Sequence, residues 1–148
     1  MKFSEIEINL WDEHREYLDT CLLPFTGLTG EENPMETTKA LEELRDMLDL
    51  VEIPFNGRVV TYPTVHFHQE EEQLASYLNN IRLNLKKQGF TYLILITHQT
   101  EMDKLKFQEF DLFLMPDEKE QDLVSLKDEI SNKVQALWNN KSGKGESV

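Results

Sequence analysis

The chain has 148 residues, of which 39% are hydrophobic and 29% charged, a balance typical of one globular domain. Its formal net charge of −13 repels phosphate backbones, so we expect no nucleic-acid partner, whereas a basic protein partner or a bound cation remains compatible. No apolar run approaches the roughly 20 residues that span a bilayer, so we also expect no membrane insertion. The single cysteine, Cys21, cannot form an internal disulfide, and residues 1–5 lack the features of a signal peptide. These observations predict a cytoplasmic protein.

The first thirty residues predict a helix, a strand and a loop. Ser4 and Glu7 have the spacing of a capping box and begin a segment with apolar side chains at helical intervals, so we expect a short helix over residues 4–17. Residues 20–24 form a compact apolar run that ends at a proline, which indicates a buried strand. A loop over residues 26–30 follows this strand.

The next segment predicts a long helix and a second strand. Asn33, Pro34 and Glu36 have the identities and spacing of a helix start, and apolar residues then repeat at helical intervals. Residues 51–62 leave two structures open, a loop before one strand or an edge hairpin around its Asn-Gly pair. We expect a strand over residues 59–65.

The second half of the chain alternates helices with strands. Helical periodicity followed by glycine predicts a helix over residues 69–88, and the continuous apolar run at 92–97 predicts a strand buried on both faces at the centre of the sheet. A further strand is expected over residues 110–116, and a final helix is expected from residue 123 into Asn139-Asn140. Residues 141–148, rich in Gly, Ser and Lys, are predicted to be a disordered tail.

The alternation of elements predicts the fold class. Strands that alternate with helices form mostly parallel sheets, so we expect an α/β fold with four or five strands and helices on both faces. This arrangement is a Rossmann-like three-layer sandwich. Residues 1–140 are predicted to form a single domain.

Ligands of open parallel sheets bind beyond the carboxyl ends of the strands, so the residues that follow each strand are the candidates for a site. We call this edge of the sheet the carboxyl rim. The candidate rim residues are Thr26, Gly27, Glu31, His66, His68, His98 and Glu101. No catalytic residue can be assigned among them from sequence.

Three of the rim candidates are histidines. His66 and His68 are two residues apart, which on an extended chain directs both imidazoles to the same side. Neutral imidazoles together with a carboxylate are the usual ligands of Zn²⁺ and similar ions. One interpretation is therefore a Zn or Mn site built from these two, His98 and one of Glu31, Glu32, Glu70 or Glu101. The other is that these are ordinary polar residues at strand ends. No other cofactor is predicted.

Several segments between residues 20 and 101 resemble, in order and approximate spacing, the creatininase or creatinine amidohydrolase family. The resemblance lies in Leu22-Leu23-Pro24, Val59 to Pro63, and Leu93 to His98. That family is an α/β fold with a two-metal site that hydrolyses cyclic amides and related C–N bonds, which implies a creatininase-like sandwich and a metal ligand at His98. The family's Glu-x-His-Gly and following aspartate are replaced here by Thr29 to Asn33. The resemblance therefore implies a degenerate, non-catalytic relative.

The whole chain is also similar to the uncharacterised YpiF-type proteins of Gram-positive spore-formers. The similarity lies in an N-terminal helix followed by Tyr17 to Thr20 and a strand that ends at Pro24. It implies a bacterial protein and supplies no mechanism.

Three functions follow from these observations. The first is a non-catalytic domain that binds a protein partner or a small-molecule ligand at the carboxyl rim. The alternative is a metal-dependent amide hydrolase whose site lies at the same rim. A third is a phosphate or nucleotide site at Gly27 to Gly30, which lacks the Gly-Lys-Ser/Thr that completes a phosphate loop.

Overall fold

A computed structural model of the protein describes residues 1–117 and 122–140. The strands within these residues are β1 (Thr20–Leu28), β2 (Val59–Thr61), β3 (Val65–Phe67), β4 (Tyr92–Ile96) and β5 (Leu112–Leu114). The α-helices are α1 (Trp11–His14), α2 (Pro34–Glu52), α3 (Glu71–Lys87) and α4 (Leu123–Asn139). The predicted tail, residues 141–148, lies outside the described residues.

The strands form one sheet in which every pair is parallel. The order is β2-β1-β4-β5, and β3 pairs with the C-terminal part of β1. β4 is buried along its whole length and lies between β1 and β5, as its continuous apolar run predicts. The parallel order places the carboxyl ends of the strands at one rim of the sheet.

Alternate side chains of the central strands enter two separate cores. Leu93 and Leu95 of β4 pack with α3 on one face of the sheet, and Ile94 and Ile96 pack with α2 and α4 on the other. Two cores on opposite faces make a three-layer arrangement, so the predicted fold class is confirmed. This arrangement leaves α2 and α4 side by side, next to the carboxyl rim on their own face.

The three long helices lie where their periodicity predicts. At the start of α2, Asn33 Oδ1 accepts from the Glu36 amide at 2.8 Å while Glu36 Oε1 accepts from the Asn33 amide at 3.1 Å, which is the predicted capping box. Within the described ranges, no helix has both the length and the apolar character needed to cross a bilayer.

The amino ends of the central strands are closed by a cluster of charged and aromatic side chains, called here the amino-end cluster. Arg58 donates from Nε and Nη2 to the two carboxylate oxygens of Asp19, at 2.9 and 3.1 Å. The same guanidinium lies 4.1 Å from the centre of the Trp138 ring, whose indole N–H donates to Thr20 Oγ1 at 2.9 Å. The cluster therefore joins α4 to β1 and to the turn before β2.

The single helix predicted over residues 4–17 is wrong. The segment contains two short 3-10 turns, Phe3–Glu5 and Ile8–Leu10, before the four-residue helix α1. Just ahead of it, the chain pairs with the edge of β2, where the Thr61 amide donates to the Met1 carbonyl oxygen at 2.7 Å. Tertiary pairing at this edge outweighs the weak local helical pattern.

β1 continues four residues beyond its predicted end at Pro24. The Thr20 amide and the Leu22 carbonyl oxygen both bond to residues that flank β2, so these two residues direct their backbone groups toward that strand. Side alternation along β1 gives Pro24 the same direction. Pro24 lies opposite the gap between the end of β2 and the start of β3. A proline cannot donate to a sheet ladder and is tolerated where the ladder is interrupted. The predicted loop at residues 26–30 therefore begins inside the strand.

The segment between α2 and α3 contains two short strands rather than one. Residues 53–58 form turns, so the loop alternative is correct and there is no edge hairpin. The strand predicted over residues 59–65 divides at residues 62–64, which contain Pro63, and its second part is β3. His66 therefore lies inside a strand instead of after one.

Candidate functional site

Thr26, near the end of β1, is where several rim residues meet. Its buried hydroxyl lies 3.2 Å from His66 Nδ1 and donates to the His66 carbonyl oxygen at 3.2 Å. Its own carbonyl oxygen accepts from His98 Nε2 at 3.0 Å and from Gln99 Nε2 at 2.8 Å. One strand residue thus binds both imidazoles through different groups.

His98 connects this strand end to α2. While its Nε2 bonds to Thr26, its Nδ1 lies 3.1 Å from Glu43 Oε2. The other carboxylate oxygen of Glu43 lies 3.7 Å from Lys39 Nζ, one turn earlier on α2. The His98 side chain is only 13% exposed, whereas that of Glu43 is 46% exposed. The imidazole is therefore held in place, and its carboxylate partner is freer to move.

The backbone conformation near the end of β1 requires glycine at position 27. Its φ of +75° lies in the left-handed region that favours glycine. A Cβ at this position would also collide with the side-chain amide of Gln99, which lies over Gly27 to reach the Thr26 carbonyl. The predicted rim residue Gly27 thus has a positioning role for Gln99.

The three candidate metal ligands do not converge. His66 is exposed and bonds to Thr26, and the His68 amide donates to the Leu28 carbonyl oxygen at 3.0 Å. The ring Nδ1 of His68 is buried without a partner among residues 1–117 and 122–140. In the same part of the chain, no three His, Cys, Asp or Glu side chains are grouped so that they could hold a metal ion.

In the loop after β1, backbone amides bond to the carboxylate of Glu32. Glu32 accepts from the amides of Thr29 and Gly30 at 3.0 to 3.2 Å and from the Thr29 hydroxyl at 3.2 Å. Hydrogen bonds from backbone amides, that of Glu32 itself first and then those of Thr29 and Gly30, lower the pKa of this carboxyl below its ordinary value. Glu31 is exposed beside it. Because the Thr29 and Gly30 amides are occupied, the loop is a poor phosphate cradle.

A groove of about 620 Å³ lies on the face of the rim covered by α2 and α4. Its floor is apolar, made by the buried side chains of Met47, Leu50 and Leu126. The ionisable residues that line it are Glu36, Lys39, Glu43, Asp46, His98 and Glu101. Four carboxylates against one lysine and one histidine give it an acidic wall. The volume is in the range of small-ligand sites.

The predicted rim residues fall into two groups relative to this groove. His98 and Glu101 line it. Thr26 and Gly27 lie behind it and position His98 and Gln99. His66, His68 and Glu31 are not among its lining residues.

Sequence reasoning missed the α2 side of the groove, because it considered only residues that follow strands. The signal was present in the spacing of Glu36, Lys39, Glu43 and Asp46, which lie three or four residues apart and form one stripe beside the buried stripe of α2. Cys21, by contrast, is fully buried, and burial raises the pKa of its thiol, so it is not a nucleophile.

Residues 9–135 match the model of a family described as protein of unknown function (DUF2487). The chain belongs to this family. The DUF2487 match covers all five strands, the whole of α2 and most of α4, and so includes the residues that line the groove. Comparison with curated proteins and comparison with solved structures found no match.

Proposed function

We propose that this protein is a non-catalytic binding domain that holds a basic segment of a protein partner in the rim groove. The observation that carries the proposal is the combination of an apolar floor and an acidic wall in one groove. Lysine and arginine side chains have this same combination, because an apolar stem carries a cationic head. The apolar stem of such a side chain from the partner would lie on Met47, Leu50 and Leu126. Its cationic head would reach Glu43 or Glu101.

The charge of the whole chain supports a basic partner. A net charge of −13 attracts basic segments over long range and raises their association rate. The same charge disfavours a phosphate-bearing ligand, in keeping with the occupied amides of the Thr29–Glu32 loop.

The bonding of the rim side chains favours a non-catalytic role. Both ring nitrogens of His98 face protein acceptors, and His66 is bonded to Thr26. A general base needs a nitrogen within reach of a substrate proton. Catalysis at these positions would require existing bonds to break first.

Several further expectations remain part of the proposal. We assign the protein to the cytoplasm of a bacterium, because it has a single buried cysteine and a resemblance to YpiF-type proteins. We treat the fold as a degenerate creatininase-like one on the order and spacing of residues 20–101. We take residues 1–140 to be one domain.

The groove is tested with an acetylated and amidated peptide of alternating lysine and leucine, whose binding is measured by isothermal titration. Glu101→Lys reverses one wall charge and should weaken binding about tenfold, as expected for charges roughly 6 Å apart in water. Glu13→Lys makes the same change of net charge on α1, outside the groove, and is the matched control. Equal weakening by both variants, or no binding by the wild type, would contradict the proposal.

A metal-dependent amide hydrolase is the second candidate. One observation favours it: His98 donates from Nε2 to a backbone carbonyl, a bond that orients many metal-binding histidines. His98 and Glu43 would supply two ligands of a Zn or Mn ion, and Glu101 lines the same groove. The test is elemental analysis of protein purified without chelator or metal resin. Equal metal content in the wild type and His98→Ala would reject this assignment.

A further inference from the structure

The side-chain amide of Gln99 is held in one orientation beside the rim groove. Gln99 is half-buried and lines the groove, and its Nε2 donates to the Thr26 carbonyl oxygen at 2.8 Å. Because a carbonyl oxygen can only accept, this bond decides which end of the amide is the nitrogen. Nε2 faces Thr26, and Oε1 is the end that is left for another partner.

The Oε1 atom of Gln99 is an accessible acceptor. Within residues 1–117 and 122–140, the Gln99 side chain forms one hydrogen bond, the one through Nε2, so no group donates to Oε1. The buried polar side-chain atoms without a partner in these ranges belong to Thr61, His68 and Tyr92, so Oε1 is open to solvent. Water satisfies such an acceptor until a ligand donor replaces it.

The bond from Gln99 is not needed to satisfy Thr26. His98 Nε2 already lies 3.0 Å from the same carbonyl oxygen, and one donor is enough to avoid the cost of a buried, unpaired acceptor. Glycine at position 27 leaves the space in which the Gln99 amide lies, since a Cβ there would collide with it. Both features have the same result, which is a fixed acceptor at the groove.

Glu101, two residues after Gln99, supplies a second available acceptor. It is exposed, lines the groove, and has no hydrogen bond or ion pair to any other residue that the structure describes. The other wall carboxylates, those of Glu36, Glu43 and Asp46, each have a bond or an ion pair to a neighbouring residue. The loop after β4 therefore offers one carboxylate and one fixed neutral oxygen to a ligand.

We infer that these two acceptors select arginine over lysine as the cationic side chain that enters the groove. A guanidinium has several N–H donors in one plane, so two can bond a carboxylate side by side while another reaches a second acceptor. Glu101 would take the paired donors and Gln99 Oε1 the further one. A lysine ammonium is a compact, strongly hydrated charge that one carboxylate and water satisfy. This inference rests on the proposed function, because it names the head group that the same groove binds.

The head group is tested with two acetylated and amidated peptides of equal length, in which leucine alternates with arginine or with lysine. In isothermal titration the wild type should bind the arginine peptide about fivefold more tightly, the effect of one additional hydrogen bond. Gln99→Met keeps the length of the side chain but removes the acceptor, so the two affinities should become equal. Gln73→Met, on α3 outside the groove, is the matched control and should keep the ratio. A general loss of packing would weaken both peptides alike and leave the ratio unchanged.

The wild type gives a second, direct signal. The side-chain amide resonances of Gln99 in ¹H–¹⁵N spectra should shift with saturating arginine peptide and shift less with lysine peptide. Unmoved resonances, equal affinities of the wild type for both peptides, or a preference that persists in Gln99→Met would each overturn the choice of arginine while leaving the groove as a binding site. If neither peptide binds, the proposed function fails and this inference fails with it.

Discussion

The two ends of the sheet differ in how their polar groups are used. At the amino end, Arg58, Asp19 and Trp138 contact one another at short range and join α4 to the strands. At the carboxyl end, the acidic residues of the wall line a groove and are exposed, and their bonds are at the protein surface, such as those of Glu43 to His98 and of Asp46 to Arg45. Partly buried polar groups that satisfy one another stabilise a fold, whereas exposed ion pairs contribute little to stability and can exchange a partner for a ligand. We therefore expect the amino end to stabilise the fold, and the binding site that we propose lies at the carboxyl end.

The largest effect is expected at the amino end. Arg58→Met should lower the free energy of unfolding by about 2 kcal/mol, because it removes both bonds to Asp19 and the contact with the Trp138 ring. Urea denaturation measures the change. Arg45→Met is the matched control, since Arg45 pairs with Asp46 and both side chains are exposed, and it should change the free energy by less than about 0.5 kcal/mol. Similar effects of the two variants would show that the amino-end cluster does not stabilise the fold.

At the carboxyl end, a stability effect of similar size is expected only where the backbone is constrained. Gly27→Ala should cost about 2 kcal/mol, because its φ is positive and the new Cβ meets Gln99. Gly30→Ala should cost less, since its φ is positive but no atom lies near the new Cβ. Gly57→Ala, which has neither restriction, is the control. Thermal unfolding of the three variants should follow this order, and a harmless Gly27→Ala would contradict the role given to Gln99.

The smallest effect is a pH dependence at the Thr29–Glu32 loop. The pKa of Glu32 is lowered in the folded protein, so its ionised form contributes stability above the ordinary glutamate range, and this contribution is lost as the pH falls through the lowered pKa. Glu32→Gln should therefore be less stable than the wild type at neutral pH, and the difference should shrink toward about pH 3. Denaturation at both pH values measures it. Glu31→Gln, whose side chain makes no such bonds, should show no difference at either pH.

The parts of the fold that were predictable from sequence are those specified by strong local signals. The apolar run of β4 has few alternatives to a buried central strand, and the capping box at Asn33 and Glu36 marks the start of α2. The wrong predictions lie where distant contacts decide. The chain before α1 follows the edge of β2, and β1 passes through Pro24 because β2 ends and β3 begins beside it.

The site was predictable only in part, for the same reason. Parallel strands have a carboxyl rim, so His98 and Glu101 could be proposed from their positions after β4. Whether a rim histidine contacts another histidine or a glutamate depends on where the helices lie on the sheet. No local sequence pattern specifies this placement. Glu43 becomes a partner of His98 because α2 crosses the sheet beside β1 and β4. To predict the groove from sequence, the charged stripe of α2 and the carboxyl rim would have had to be considered together.

Binding at the rim groove is tested most directly by mapping the lysine–leucine peptide onto the protein by ¹H–¹⁵N NMR. We predict shift changes in the α2 stripe from Glu36 to Leu50, in residues 98–101 and at the start of α4, with none at the amino-end cluster around Arg58. Changes centred on the amino end, or no changes at saturating peptide, would contradict the claim that the rim groove binds a basic segment.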